Sequence, residues 1–155
     1  MATKRLLKEL EAYNRGPSPH VLRLEPVNDD NLLSLSADLR GPDGTAYQDG
    51  IFTLALQIPE SYPSTAPKIT FTTPCAHPNI SFRTGEICLD LLTSKAWTPA
   101  YGVVTALEAV QQLMATPGEP DSPLNVDLAK LYRDGDIVGA EGLVRFYTRL
   151  YAVRR

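Results

Sequence analysis

A thiol, an amide and an imidazole stand close together along one stretch of this chain. His77, Pro78 and Asn79 are followed nine residues after the asparagine by Cys88, inside the run Gly85 Glu86 Ile87 Cys88 Leu89 Asp90. A thiol can attack a carbonyl, and a primary amide can donate hydrogen bonds to the oxyanion that forms. The amide of Asn79 has a second use open to it, pinning the backbone of its own loop. Cys88 lies between Gly85 and Asp90, where a side chain can reach solvent, whereas Cys75 is expected to be a buried, inert thiol. The neighbours of Cys88 are the acidic Glu86 and Asp90, so the sequence supplies no cation that would favour a thiolate. That environment suits attack on an already activated ester better than attack on a peptide bond.

A Cys/His hydrolase needs a histidine as base, and the chain has only His20 and His77. His77 precedes a proline, which pushes its backbone toward an extended conformation, and its ring is expected to brace the loop. His20 falls at a strand edge and reads as ordinary surface. Cys75, His77 and the distant Cys88 lack the paired ligand spacing of a structural zinc site, and two cysteines in a reducing compartment do not imply a disulfide. No metal or cofactor is expected.

The elements that must hold this stretch are legible from periodicity. Leu6, Leu10 and Tyr13 follow helical spacing from a Thr3 cap to the Gly16 Pro17 stop. A weaker strand runs from His20 to Glu25. Leu33, Leu35, Ala37 and Leu39 alternate with polar residues up to the turn Gly41 Pro42 Asp43 Gly44; Phe52, Leu54, Leu56 and Ile58 alternate before Pro59; and Lys68 to Phe71 gives a fourth strand. Short connections favour antiparallel pairing. After the Cys88 loop, Val103, Leu107, Val110 and Met114 mark a helix ended by Thr116 Pro117 Gly118, and Asn125 caps a short one. Asp136 then opens a last helix with Ile137, Ala140, Val144, Tyr147 and Tyr151 on one stripe and Arg154 and Arg155 at its end. Helix, four-stranded antiparallel meander, long active-site loop and three helices make an α+β chain, with residues 1–155 as one domain.

Composition narrows the function classes. A chain of 155 residues can bury roughly 70% of the surface its unfolded form exposes. The apolar share of 43% contains no run near the roughly 20 residues a membrane span requires, so direct membrane insertion is not expected. A net charge of −3 argues against general affinity for nucleic acid. The first nine residues mix charge into the leucines where a secretory signal carries an uninterrupted apolar segment, and the expected compartment is a reducing, cytosolic one. Lys4, Arg5, Lys8 and Arg15 make the first helix mildly basic on an acidic body.

Taken together, His77 Pro78 Asn79, Gly85 to Cys88, Leu89 Asp90, Trp97 Thr98 Pro99, Tyr62 Pro63 to Pro67 and Pro123 Leu124 Asn125 resemble a ubiquitin-conjugating enzyme, the E2 class. The resemblance covers nearly the whole chain and implies the UBC fold. It implies a thioester carrier, in which Cys88 takes the ubiquitin C-terminus from the activating enzyme, E1, and passes it to an acceptor with the help of a RING-type ligase, E3. On the family pattern Asn79 supports the loop and the oxyanion, Asp90 lies close to the thiol, and Ser122 falls where a serine or aspartate gate is placed; a plain turn residue before Pro123 is its alternative reading. His77 and Pro78 support the active-site loop. The same carry-over places E1 and E3 docking on Lys4, Arg5 and Lys8 with Pro63, Ser64, Thr98, Pro99 and Ala100.

Departures from the family pattern point to a branch. The interval from Asn79 to Cys88 is one residue longer than is usual, Ser64 replaces a common aromatic residue, and Leu35 replaces a common tryptophan. Arg23 stands where some members carry a serine that receives a second, non-covalent ubiquitin, so backside binding is not expected. The run Asn79 to Leu89 resembles the peroxisomal ubiquitin-conjugating enzymes. That implies monoubiquitylation of the peroxisomal import receptor, a membrane-anchored peroxin as tether, and a peripheral place on the cytosolic face of the peroxisomal membrane. A general cytosolic or nuclear E2 and a carrier of another ubiquitin-like protein are alternatives within the family. A catalytically silent ubiquitin-binding scaffold is the non-enzyme alternative; such variants usually lack the cysteine, which this chain keeps.

Overall fold

The computed structural model describes residues 1–119 and 121–153. Arg154 and Arg155, expected at the end of the last helix, lie outside them. Helix α1 (Ala2–Arg15) buries Ala2, Leu6, Leu10 and Tyr13, one residue per turn. It starts before the expected Thr3 cap, with Met1 at the N-cap. Burial of Ala2 extends the core stripe by a turn, and that packing outweighs the preference of threonine for a cap.

Four strands follow: β1 (Val21–Asn28), β2 (Asn31–Arg40), β3 (Ile51–Gln57) and β4 (Lys68–Phe71). They pair antiparallel in the order β1-β2-β3-β4, a meander. Leu35 faces Leu56 and Leu39 faces Phe52 across β2 and β3, while Leu56 faces Ile69 and Leu54 faces Phe71 across β3 and β4. These side chains all point to the core face. β1 runs to Asn28, beyond the expected end at Glu25. Its last residues are held by pairing of Pro26 with Leu35 and Asn28 with Asn31 rather than by burial, since Val27 is exposed. Asn28 closes the turn by accepting at Oδ1 from the backbone N–H groups of Asp30 and Asn31.

The other face of the sheet is polar. Arg23 holds both carboxylate oxygens of the buried Asp38, at 3.0 and 3.2 Å, and also donates to Ser36 and Glu25. Thr53 donates to the same carboxylate at 2.7 Å.

Helix α2 (Val103–Met114) crosses the core face, burying Val103, Ala106, Leu107, Val110 and Met114, and Gln111 donates to the Arg40 carbonyl. Asn125 caps α3 (Val126–Arg133) by accepting from Leu128, and Asp136 caps α4 (Ile137–Tyr151) by accepting from Gly139. The stripe of α4 differs from expectation. Ala140, Val144 and Thr148 are buried, whereas Ile137 and Tyr151 are exposed. The helix is rotated so that Thr148 meets the sheet beside Gly50 and Phe52, where a Cβ on residue 50 would fall 2.9 Å from the threonine methyl. No helix among the described residues is long and apolar enough to cross a membrane.

Candidate active site

The stretch carrying His77, Asn79 and Cys88 joins β4 to α2, and buried polar contacts hold it. The Tyr47 hydroxyl donates to the Ala76 carbonyl. His77 is 1% exposed: its Nδ1 accepts from the Asn79 backbone N–H at 3.0 Å, which puts the ring proton on Nε2, donated to the Thr116 carbonyl at 2.7 Å. Burial holds its pKa below the ordinary histidine range, so the ring stays neutral. Both nitrogens are engaged in bracing, and neither is free to take a proton from a thiol. The Pro78 carbonyl accepts from the N–H groups of both Leu124 and Asn125, at 2.8 and 3.0 Å.

Asn79 is fully buried and bonded on every polar atom. Oδ1 accepts from the Glu119 N–H at 2.7 Å; Nδ2 donates to the carbonyls of Glu119 and Ser122 at 2.9 and 3.0 Å. Of the two uses open to this amide, pinning is the one displayed here, and its target is the segment after α2 rather than its own loop. Both of its N–H donors point at carbonyls already present. Gly118 permits the close approach: its φ is +74°, and a Cβ there would lie 1.8 Å from Asn79 Oδ1.

Beyond Asn79 the chain forms a small hairpin that presents the thiol. Ser81 donates to the Glu86 carbonyl, Gly85 to the Ser81 carbonyl, and Cys88 to the Asn79 carbonyl at 2.8 Å. Phe71, the last residue of β4, donates to the Gly85 carbonyl, which sews the hairpin to the sheet. Phe82 packs against Tyr147 of α4 with ring centroids 4.7 Å apart and the rings tilted by 49°. Cys88 emerges half-buried, on an open groove of about 440 Å³ lined by Leu89, Asp90, Leu92, Leu124 and the β4 residues Lys68 and Thr70. Cys75 is fully buried, and burial pushes its thiol far up, out of use as a nucleophile.

Asp90 is exposed at the start of a single 3₁₀ turn (Asp90–Leu92) two residues past the thiol. Ser122 is exposed, and its carbonyl is the group tied to Asn79. Leu124, named in the sequence only within the run Pro123 Leu124 Asn125, lines the thiol groove; Thr116 and Gly118, read there only as a helix stop, and Glu119 are the other supports not placed at the site. Three of these four contribute backbone groups, which leave no residue-type signature. Among the described residues no cluster of His, Cys, Asp or Glu could hold a metal ion.

The second set of candidate residues gathers around the N-terminal half of α1. Lys4 and Lys8 are exposed there. Arg5 donates to the Tyr101 carbonyl at 3.0 Å and lies 5.9 Å over the Tyr62 ring, and the Trp97 indole donates to the Pro63 carbonyl at 2.8 Å. These bonds join α1 to the turn carrying Pro63 and Ser64, and to the segment carrying Thr98, Pro99 and Ala100. Arg5 is half-buried and also paired with Glu9, so much of its charge is directed inward.

This fold and an accessible cysteine on a braced loop define a class that comparison identifies. The model of the ubiquitin-conjugating enzyme family matches residues 5–139, and the chain belongs to that family of transferases. It is 46% identical over 149 residues to the ubiquitin-conjugating enzyme E2 PEX4 of Gibberella zeae, covering 94% of this chain and 86% of that one. It is 45% identical over 151 residues to protein PEROXIN-4 of Arabidopsis thaliana, covering 96% and 94%. Among solved structures, the H. polymorpha ubiquitin conjugating enzyme Pex4p, in complex with the soluble domain of Pex22p, superposes with a TM-score of 0.88 at 36% identity and 99% coverage of both chains.

Proposed function

We propose that Cys88 carries ubiquitin as a thioester. The Cys88 sulfur attacks the carbonyl of the ubiquitin C-terminus held as a thioester on E1; a new C–S bond forms, the E1 sulfur leaves, and the cysteine proton passes to solvent or to the departing thiolate. The acyl group then moves to an acceptor nucleophile with a RING-type E3. The observation that carries this reading is the contrast between the two loop side chains: the thiol is open on a groove while the imidazole is locked and neutral. A carrier must keep its thioester from water, and a loop whose imidazole is locked by two hydrogen bonds offers no histidine base to activate water against it.

The relatives support a place of action. Their names include peroxin-4, and the Pex4p structure includes the soluble domain of Pex22p. These support an enzyme held by a membrane-anchored peroxin on the cytosolic face of the peroxisomal membrane, where it monoubiquitylates the peroxisomal import receptor. Incubation with ubiquitin, E1 and ATP, followed by non-reducing electrophoresis, tests the chemistry: a thiol-labile band heavier by one ubiquitin is expected, absent in Cys88→Ala and thiol-resistant in Cys88→Ser. No such band, or its persistence in Cys88→Ala, refutes the mechanism. A pull-down from peroxisomal membranes that recovers no peroxin refutes the tether alone.

A further inference from the structure

Glu9 lies one helical turn after Arg5, and its carboxylate joins three segments of the chain. Oε2 accepts from Arg5 Nε at 3.1 Å and from the Tyr62 hydroxyl, while Oε1 accepts at 2.8 Å from the N–H of Val103, the first residue of α2. The N-cap of α2 is Gly102, which has no side chain to accept from the free N–H groups at that end. A carboxylate from α1 satisfies one of them instead, at the positive end of the α2 dipole. Gly102 is what allows it to enter, because a Cβ there would sit 2.2 Å from Glu9 Oε1. Burial, reinforced by the bond to Glu9, keeps the Tyr62 hydroxyl protonated and donating.

The three segments are those that display Lys4 and Lys8, Pro63 and Ser64, and, just before α2, Thr98, Pro99 and Ala100. Tyr62 immediately precedes Pro63, Val103 follows Ala100 by three residues, and Arg5 reaches from the same carboxylate to the Tyr101 carbonyl. We propose that Glu9 is the positioning residue for E1 and E3 docking: it fixes these segments relative to one another while touching neither partner. This rests on the reading above that they form the docking surface. The Glu9 side chain is 17% exposed and its loss leaves the Tyr62 hydroxyl and the Val103 N–H without their acceptor, so stability is measured beside docking on every variant.

Initial rates of thioester formation against the concentration of this protein, with E1, ubiquitin and ATP fixed, separate the two effects. In Glu9→Ala the KM for loading rises about tenfold while kcat stays within about twofold of wild type. In Glu9→Gln the rise is smaller, because the amide oxygen still accepts from Val103 while the charge that held Arg5 is gone. Tm is measured on each variant. A folded Glu9 variant with the wild-type KM overturns the proposal, as does a rise in KM no larger than the unfolded fraction at the assay temperature accounts for; if Glu9→Ala does not fold, Glu9→Gln is judged by the same criteria. Wild-type protein that forms no thioester overturns the functional reading as well, and that outcome is seen before any variant is compared.

Discussion

Replacing Asn79 separates the two uses its amide can have. Asn79→Ala removes three hydrogen bonds at a fully buried position: one accepted from the Glu119 N–H and two donated to the carbonyls of Glu119 and Ser122. At about 1 kcal/mol net for each, the loss is about 3 kcal/mol. Glu119 and Ser122 are exposed residues, so water can replace part of what is lost, and about 2 kcal/mol is the expected value. For a domain of this size that lowers Tm by about 6 °C. Asn79→Asp is the sharper probe. It keeps an acceptor for the Glu119 N–H but sets a carboxylate oxygen against two carbonyl oxygens, so it should destabilise more than alanine does. Urea unfolding gives the stabilities, and single-turnover discharge of preloaded ubiquitin thioester to free cysteine gives the reactivity. If the amide pins the segment after α2, discharge falls in the order of lost stability, least in alanine and most in aspartate. An alanine variant as stable as wild type but slower by about 10²- to 10³-fold in discharge would refute this reasoning, because that is the signature of a lost oxyanion donor.

Three further outcomes are expected. Gly85→Ala should disrupt the thiol hairpin, because φ there is +79° and a Cβ would stand 2.0 Å from the Phe71 carbonyl oxygen; thioester formation, read on non-reducing gels, should fall well below wild type. His77 is held neutral, with its folded pKa below the unfolded value of about 6.5, so its contribution to stability is complete above that pH and is lost as pH falls below it. Melting curves at pH 7.5 and 5.5 should therefore show a larger drop in wild type than in His77→Gln; equal drops would reject this. Arg23→Ala strands the carboxylate of Asp38, which is 5% exposed, with fewer donors. Because the arginine side chain is itself one-third exposed, the expected cost is discounted to about 1–2 kcal/mol, measured by urea unfolding.

What the sequence made legible, and what it hid, divide along a physical line. Burial repeats, so it leaves a pattern: Leu35, Ala37 and Leu39 against Phe52, Leu54 and Leu56 read correctly as facing strands, and the caps Asn125 and Asp136 read correctly because a cap needs a particular residue type. Where pairing alone holds the backbone, as at the end of β1 from Pro26 to Asn28, there is no apolar alternation to read. The α4 stripe misled for a related reason. Its sequence offers apolar residues on more than one face, and the close approach to Gly50, a contact distant in sequence, selects Thr148 over Tyr151.

The site follows the same division, with consequences for its chemistry. Cys88 was legible as the accessible thiol of the loop and His77 as a brace, because a thiol is rare and a histidine before proline is constrained. The partners that fix what each neighbour does were not legible: Asn79 bonds to the backbone of Glu119 and Ser122, His77 to the Thr116 carbonyl, Pro78 to the N–H groups of Leu124 and Asn125, and Glu9 to the N–H of Val103. Any residue supplies a backbone group, so these partners carry no mark in the sequence. The side chains of Asn79, His77 and Glu9 do carry one, whereas Pro78 bonds through its own backbone carbonyl. A buried amide or carboxylate with no local partner in the sequence is therefore best read as half of a long-range backbone contact. In this protein that rule yields both the clamp beneath Cys88 and the tie beneath the proposed docking surface.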